Sequence, residues 1–280
     1  MDDNTEKILM IIPIGAIAFT GTLSNGLSLF YFIRRENASL WTRLFILLNS
    51  LDFVVCVTSA ITVVLLFWGS IDDYGLELKI LRIAFFFFLD GTAFATCVLS
   101  FTRMLAVCKP YYTINGKAIG IATTLFLLFD AVVPTVLYFK EVFDSGNDIR
   151  YLQSSCTLFL IIIVVVACNV ASVVQLLRCE KDIGKESVSS TTKKATITVA
   201  ILSGLFCFFN IAFAFFIGCN SFDECEPTDE HFKWFIRLMI IPLNSALNPV
   251  VYFIRKKNMR VYVKEVFYSC FQPKCQRREQ

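Results

Sequence analysis

The sequence predicts an all-α membrane protein, a seven-transmembrane helix bundle with a short amphipathic eighth helix. Three observations carry that prediction. The chain of 280 residues is 56% hydrophobic and only 18% charged, with a mean hydropathy of +0.65, whereas a soluble domain is roughly a quarter charged. Seven apolar runs follow one another at residues 8–33, 44–68, 80–107, 117–139, 156–177, 195–219 and 232–254. Each is long enough to cross roughly 30 Å of hydrocarbon as a helix. The basic residues are also one-sided. The segments and helix ends after the first, third and fifth runs, with the tail, hold 19 of the 26 Lys and Arg, and the opposite side holds 14 of the 23 acidic residues. By the positive-inside rule the N-terminus faces out and the tail faces the cytosol. The net charge of +3 is therefore a topology signal; it points to membrane lipid as a partner and to no nucleic acid. The chain divides into an extracellular N-terminus (1–7), a membrane domain (8–254) and a cytoplasmic amphipathic helix and tail (255–280).

The first run starts after seven residues with neither a basic n-region nor a small-residue cleavage pattern, so it reads as a retained helix rather than a signal peptide. It contains Ser24-Asn25-Gly26. The sequon Asn37-Ala38-Ser39 falls on the predicted cytosolic side and is expected to stay unused. The second run carries Asn49-Ser50-Leu51-Asp52. A carboxyl at mid-membrane is costly unless partnered, which marks Asp52 as functional. The third run holds Phe85-Phe86-Phe87-Phe88, read as packing residues, a second acid at Asp90, and the ending Leu99-Ser100-Phe101-Thr102-Arg103-Met104-Leu105-Ala106-Val107-Cys108-Lys109-Pro110-Tyr111. Standing alone, an arginine at a helix end is a snorkelling anchor. Asp130, one turn before Pro134 in the fourth run, is a third acid, expected to bond between helices. The segment 178–194 is short and charged, with Ser187, Ser189, Ser190, Thr191 and Thr192; it reads as a mobile cytosolic loop within reach of kinases, or as a plain solvated loop.

The sixth run carries Cys207-Phe208-Phe209-Asn210, and an acidic outer segment, 218–230, follows it. Cys219 and Cys225 flank that segment and suit a small intraloop disulfide. Most of the 11 cysteines lie in spans or near the cytosol, where thiols stay reduced, so no disulfide scaffold is expected. The seventh run ends Asn244-Ser245-Ala246-Leu247-Asn248-Pro249-Val250-Val251-Tyr252-Phe253-Ile254, followed by Arg255-Lys256-Lys257. Pro249 leaves one carbonyl without its usual N–H donor, and the asparagine side chains of this stretch can satisfy it at a kink. Residues 255–268 form a basic amphipathic stretch with Cys270 and Cys275 beyond it, either palmitoylated onto the inner leaflet or unmodified tail thiols.

Together these residues resemble rhodopsin-like G-protein-coupled receptors. The end of the seventh run looks like the family's N-P-x-x-Y element. Ser24-Asn25-Gly26 is similar to its first-helix asparagine motif, and Asn49 to Asp52 to its N-L-A-x-x-D. The end of the third run is similar to S-x-D-R-Y-x-A-x-x-x-P. The resemblance covers nearly the whole chain and is strong at the first, second, third and seventh runs. It implies that Arg103, Asn248, Pro249 and Tyr252 serve activation and coupling to a heterotrimeric G protein, with arrestin a further partner. It also implies that Asp52, Thr92, Asn244, Ser245 and Asn248 surround an allosteric sodium ion; a carboxylate with hydroxyl and amide oxygens suits a hard cation. The alternative is a water-filled polar network.

The departures are informative. Thr102 replaces the acid that pairs with the arginine, Met104 replaces the tyrosine, and Leu78 stands where the family has its outer cysteine. Loss of the acid is expected to shift a two-state balance toward basal signalling. The proline of the sixth-helix motif is missing, with Asn210 in its place, and Phe208 is left as the expected aromatic lever. Phe85 where amine receptors carry an aspartate argues against a monoamine, and Pro242 in place of the retinal lysine excludes an opsin. Asp90, Phe85, Phe208, Trp234 and Arg237 are the expected ligand contacts, with Arg82 also near the entrance. The ligand expected of a chain with short loops is a small molecule, lipid or short peptide. A transporter would favour inverted repeats or broken spans, which the sequence lacks. A seven-helix metal hydrolase needs several histidines, and His231 is the only one. No enzymatic activity and no bound cofactor beyond sodium is expected. The serious alternative is an atypical or decoy receptor with weak or no coupling.

Overall fold

Apolar runs of this length can satisfy their backbone groups in hydrocarbon only as helices, and helices they are. The computed structural model describes residues 3–35, 39–68, 75–109, 116–126, 147–182, 190–221 and 230–271. The helices are α1 (Asp3–Arg35), α2 (Leu40–Trp68), α3 (Gly75–Cys108), α4 (116–126), α5 (Asn147–Asp182), α6 (Ser190–Ser221), α7 (Glu230–Arg255) and α8 (Lys257–Phe271), and no strand occurs among the described residues. The charged ends outlast the apolar runs. The expected loop 178–194 is helical at both ends, since α5 continues to Asp182 and α6 starts at Ser190. Hydropathy marks the hydrocarbon, whereas helical hydrogen bonding continues past it. At the other end of α1 the chain turns into α2 through Ser39, whose Oγ accepts the Thr42 N–H at 3.2 Å as an N-cap.

Among the described residues, five helices are long and apolar enough to cross a membrane: Ile11–Arg34, Leu40–Leu65, Phe87–Cys108, Cys156–Cys179 and Thr192–Phe213. Their surface is inverted relative to a soluble protein. Asn25, Asn49, Asp52 and Thr92 are buried, while Phe19, Phe30, Leu160, Ile163, Val170 and Phe208 are exposed. Water does not favour that arrangement, and hydrocarbon does. The protein is therefore an all-α, multi-pass membrane protein.

The helices pack in a closed order: α1 on α2, α2 on α3, α3 on α5, α5 on α6, α6 on α7, and α7 back on α1. Contacts of α2 with α7 and α3 with α6 cross the ring. Most of α4 is exposed; its Phe126 stacks on Phe94 of α3 at 3.9 Å. Inside the ring lie two apolar clusters. One joins Val55, Phe85, Leu89, Ala93, Ile162, Phe206, Phe213 and Ile241. The other joins Tyr31, Phe32, Phe45, Leu48, Leu99, Leu202, Tyr252 and Met259, toward α8. Polar side chains of α2, α3 and α7 occupy sequence positions between these clusters.

Candidate functional site

Asp52 sits on α2 between Leu51, in the cluster toward α8, and Val55, in the other. It is fully buried. Ser245 Oγ donates to Asp52 Oδ1 at 2.8 Å, and Asn248 Nδ2 donates to Oδ2 at 2.7 Å. Each carboxylate oxygen thus has a donor from α7. Thr92 Oγ1 of α3 lies against the same carboxyl without a hydrogen bond of ordinary geometry. Asn244, one turn before Asn248, is buried, and its Oδ1 has no hydrogen-bond partner among the described residues. Of the residues grouped from sequence around Asp52, Ser245 and Asn248 bond it directly and Thr92 lies against it.

The carbonyl freed by Pro249 is that of Ser245, four residues earlier. Neither Asn244 nor Asn248 satisfies it. Asn25 of α1 does, donating Nδ2 to Ser245 O at 3.1 Å and to Gly21 O at 2.9 Å. The expectation that asparagines within the stretch would fill this role is corrected, since Asn248 is committed to Asp52. The close approach of α1 depends on Gly21: a Cβ there would lie 2.5 Å from Cys56 Sγ and 3.1 Å from Ala246 Cβ. Small residues let the helix backbones meet, and the amide of Asn25 then reaches α7.

Arg103, in the last turns of α3, is buried despite its charge. Its Nε and one terminal nitrogen donate to Thr196 Oγ1 at 2.9 and 2.7 Å, and that terminal nitrogen also bonds the Thr192 carbonyl. The guanidinium lies 5.4 Å from the Trp41 ring centroid, a cation–π distance. Thr102 takes no part, because its Oγ1 turns back to Val98 O and Leu99 O. Arg255, at the end of α7, reaches the same part of α6: Nε bonds Thr198 Oγ1 at 3.3 Å and a terminal nitrogen bonds Lys194 O at 3.2 Å. Further along, Ser100 and Ser203 hydroxyls meet at 2.9 Å, and Asn169 donates to Ser100 at 3.2 Å. α6 is therefore tied to α3 and α7 through neutral acceptors, and α5 joins through Ser100 of α3.

No protein-family model matches this chain, and no curated protein matches it either. The arrangement has to be read from its own geometry.

The remaining sequence expectations fall as follows. Phe85 is buried in the cluster with Phe206 and Ile241, and Asp90 is buried on α3. Phe208 is corrected: it is 70% exposed on the outside of α6, whereas Phe206 faces inward. From residue 199 on, the buried positions of α6 among the described residues are Val199, Leu202, Ser203, Phe206, Cys207, Asn210 and Phe213, a three-to-four-residue period that leaves 208 on the opposite side. Trp234 and Arg237 fall in the first half of α7, Cys219 near the end of α6 and Cys270 near the end of α8, with side chains outside the described residues. Arg82 belongs to α3 with its side chain likewise outside them, and Asp130, Cys225 and Cys275 lie wholly outside. Pro249 and Tyr252 are buried in α7. Sequence reasoning missed Trp41, Asn169, Thr192, Thr196 and Ser203. Thr192 contributes a main-chain carbonyl and leaves no side-chain signal; Asn169 carries a legible one, a lone amide in an apolar run.

Proposed function

We propose that this chain is a seven-helix, rhodopsin-like G-protein-coupled receptor in the plasma membrane, its N-terminus outside and its tail in the cytosol. It passes an extracellular small-molecule, lipid or short-peptide signal to a heterotrimeric G protein, with arrestin as a further partner and no enzymatic activity. What carries the reading is the buried Asp52 carboxyl bonded by both Ser245 and Asn248, with Pro249 and Tyr252 following on the same helix. A carboxyl inside an apolar bundle is retained at a cost, and its bonds join the two helices that a signal must move relative to each other. Asp90 and Phe85 on α3, with Trp234 and Arg237 on α7, are the proposed ligand side.

At the cytosolic end, Arg103 holds α6 through Thr196 and Thr192. Hydrogen bonds to a charged group contribute about 1.5–3 kcal/mol. An acid at position 102 would stand on α3 beside Arg103 and hold its charge in the resting state; without it the arginine rests on neutral acceptors of α6 alone, which supports basal signalling. Opening α6 releases Arg103 to face the G protein.

Asp52, Thr92, Asn244, Ser245 and Asn248 are the residues that would hold a sodium ion. The fit rests on Thr92 Oγ1, which lies against the Asp52 carboxyl, and Asn244 Oδ1, two buried oxygens with no hydrogen bond of ordinary geometry among the described residues. An acidic oxygen with several neutral ones suits a hard cation. When bound, the ion would neutralise the carboxylate and favour the packing that keeps α2 and α7 together.

A second reading, a seven-helix receptor that binds ligand with little coupling, is favoured by Phe208. The aromatic lever expected between ligand and α6 faces outward instead. Basal G-protein dissociation in living cells, across the main Gα classes at matched surface expression, separates the two. Coupling predicts a signal from wild type that Arg103→Ala abolishes and Asp52→Asn alters. A well-expressed wild type silent in every class, and silent to ligand, rejects coupling in favour of the second reading.

A further inference from the structure

Lys256 is the single residue between α7 and α8. Its backbone is fixed on both sides. The N–H donates to Tyr252 O at 2.8 Å, and the carbonyl accepts from the Met259 and Arg260 N–H groups at 3.1 and 3.3 Å. Its side chain is also held. The ammonium nitrogen lies 4.6 Å from the Phe32 ring centroid, 5.4 Å from Phe45 and 6.0 Å from Tyr31. A lysine following the last apolar turn of a membrane helix ordinarily extends to water. Here rings of α1 and α2 receive it, and a cation within about 6 Å of a ring face is attracted by the ring quadrupole.

These rings form a connected set. Phe32 and Phe45 stack at 5.4 Å with an interplanar angle of 12°. Tyr252 stands edge-on to both, at 5.5 and 5.3 Å. Tyr31 is 5.4 Å from Phe32 and 5.6 Å from Tyr262 of α8. Phe32 and Phe45 therefore touch Tyr252 and the ammonium at once. If Tyr252 leaves, the rings lose the packing that keeps them in place for the cation.

We propose that Lys256 is the positioning residue of the α7–α8 junction: its ammonium, held on the Tyr31, Phe32 and Phe45 rings, docks α8 against α1 and makes that docking depend on where Tyr252 sits. The proposal stands on ring geometry and does not require the receptor reading.

The test is hydrogen–deuterium exchange of α8 amides in the full chain, reconstituted in phosphatidylcholine nanodiscs. Lys256→Met keeps the apolar stem and removes the charge. It should speed exchange over residues 260–268 by about five- to thirty-fold, the effect of a modest loss in local docking. Lys256→Arg should stay near wild type, because guanidinium also binds rings. Tyr252→Ala should match Lys256→Met, and the double variant should exchange no faster than either single one. Stepwise fluorination of Phe32, which drains the ring face with little change of shape, should give graded acceleration; this arm serves even if Lys256→Met does not fold. Unchanged exchange in Lys256→Met or across the fluorination series overturns the cation contact. Additive effects of Lys256→Met and Tyr252→Ala overturn the dependence on Tyr252.

Discussion

At the scale of single residues, the buried carboxyl of Asp52 is the centre of the account. Asp52→Ala strands the Ser245 hydroxyl and the Asn248 amide inside the bundle, and each stranded buried group costs about 1–3 kcal/mol. Thermal unfolding in nanodiscs should show a larger loss for Asp52→Ala than for Ser245→Ala, at about 2–4 °C per kcal/mol. Equal melting temperatures for wild type and Asp52→Ala would remove Asp52 from the packing. Gly21→Ala should also lower the melting temperature, by the about 1–3 kcal/mol of an overpacked contact. The added carbon would stand 2.5 Å from Cys56 Sγ. The importance of Asp52 is legible in sequence because an acid in an apolar run has few bland explanations. The tightness at Gly21 is not legible, because it depends on which helices α1 meets.

At the scale of the element, α7 shows how a helix defect recruits a neighbour. Pro249 frees the Ser245 carbonyl, and Asn25 of α1 fills it at 3.1 Å. Asn25→Ala should therefore destabilise the wild type. In a Pro249→Ala background, where residue 249 again has an N–H for that carbonyl, the same change should cost much less. Additive melting shifts in the double variant would show that Asn25 serves some other bond. The sequence revealed the defect but not its remedy, since Asn25 is 220 positions away from Ser245. The facing of α6 was hidden for a different reason. Its exposed Ile201, Phe208 and Ile211 are as apolar as its buried Val199, Leu202 and Phe206. A helix apolar all round carries no phase for hydropathy to read, so motif position placed Phe208 inside and packing placed Phe206 there.

At the scale of the whole molecule, run length and apolarity foreshadowed the five membrane-crossing helices found among the described residues, and not the closed packing order from α1 around to α7. Those properties are local. The ties that hold α6 were not foreshadowed, because they join residues 93, 89 and 57 positions apart, from Arg103 to Thr196 and Thr192 and from Arg255 to Thr198. The missing acid at Thr102 was legible, but the bonds that hold Arg103 in its absence were not. Of the Arg103 acceptors, Thr192 lies in the stretch 178–194 that sequence alone read as a loop, and Thr196 in the sixth apolar run. On the proposed reading, the resting state is a bundle whose cytosolic end is kept shut by neutral bonds.

The most direct measurement is nucleotide release from purified Gα, in a heterotrimer, catalysed by the chain in nanodiscs. Thr196→Val removes the hydroxyl that takes two of the Arg103 bonds while keeping the side chain's shape. Losing about 1–2 kcal/mol of closure shifts a two-state ratio by about five- to thirty-fold. The account predicts faster basal release for Thr196→Val than for wild type, and release at the uncatalysed rate when Arg103→Ala is added. No acceleration by Thr196→Val, or catalysis that survives Arg103→Ala, would contradict it.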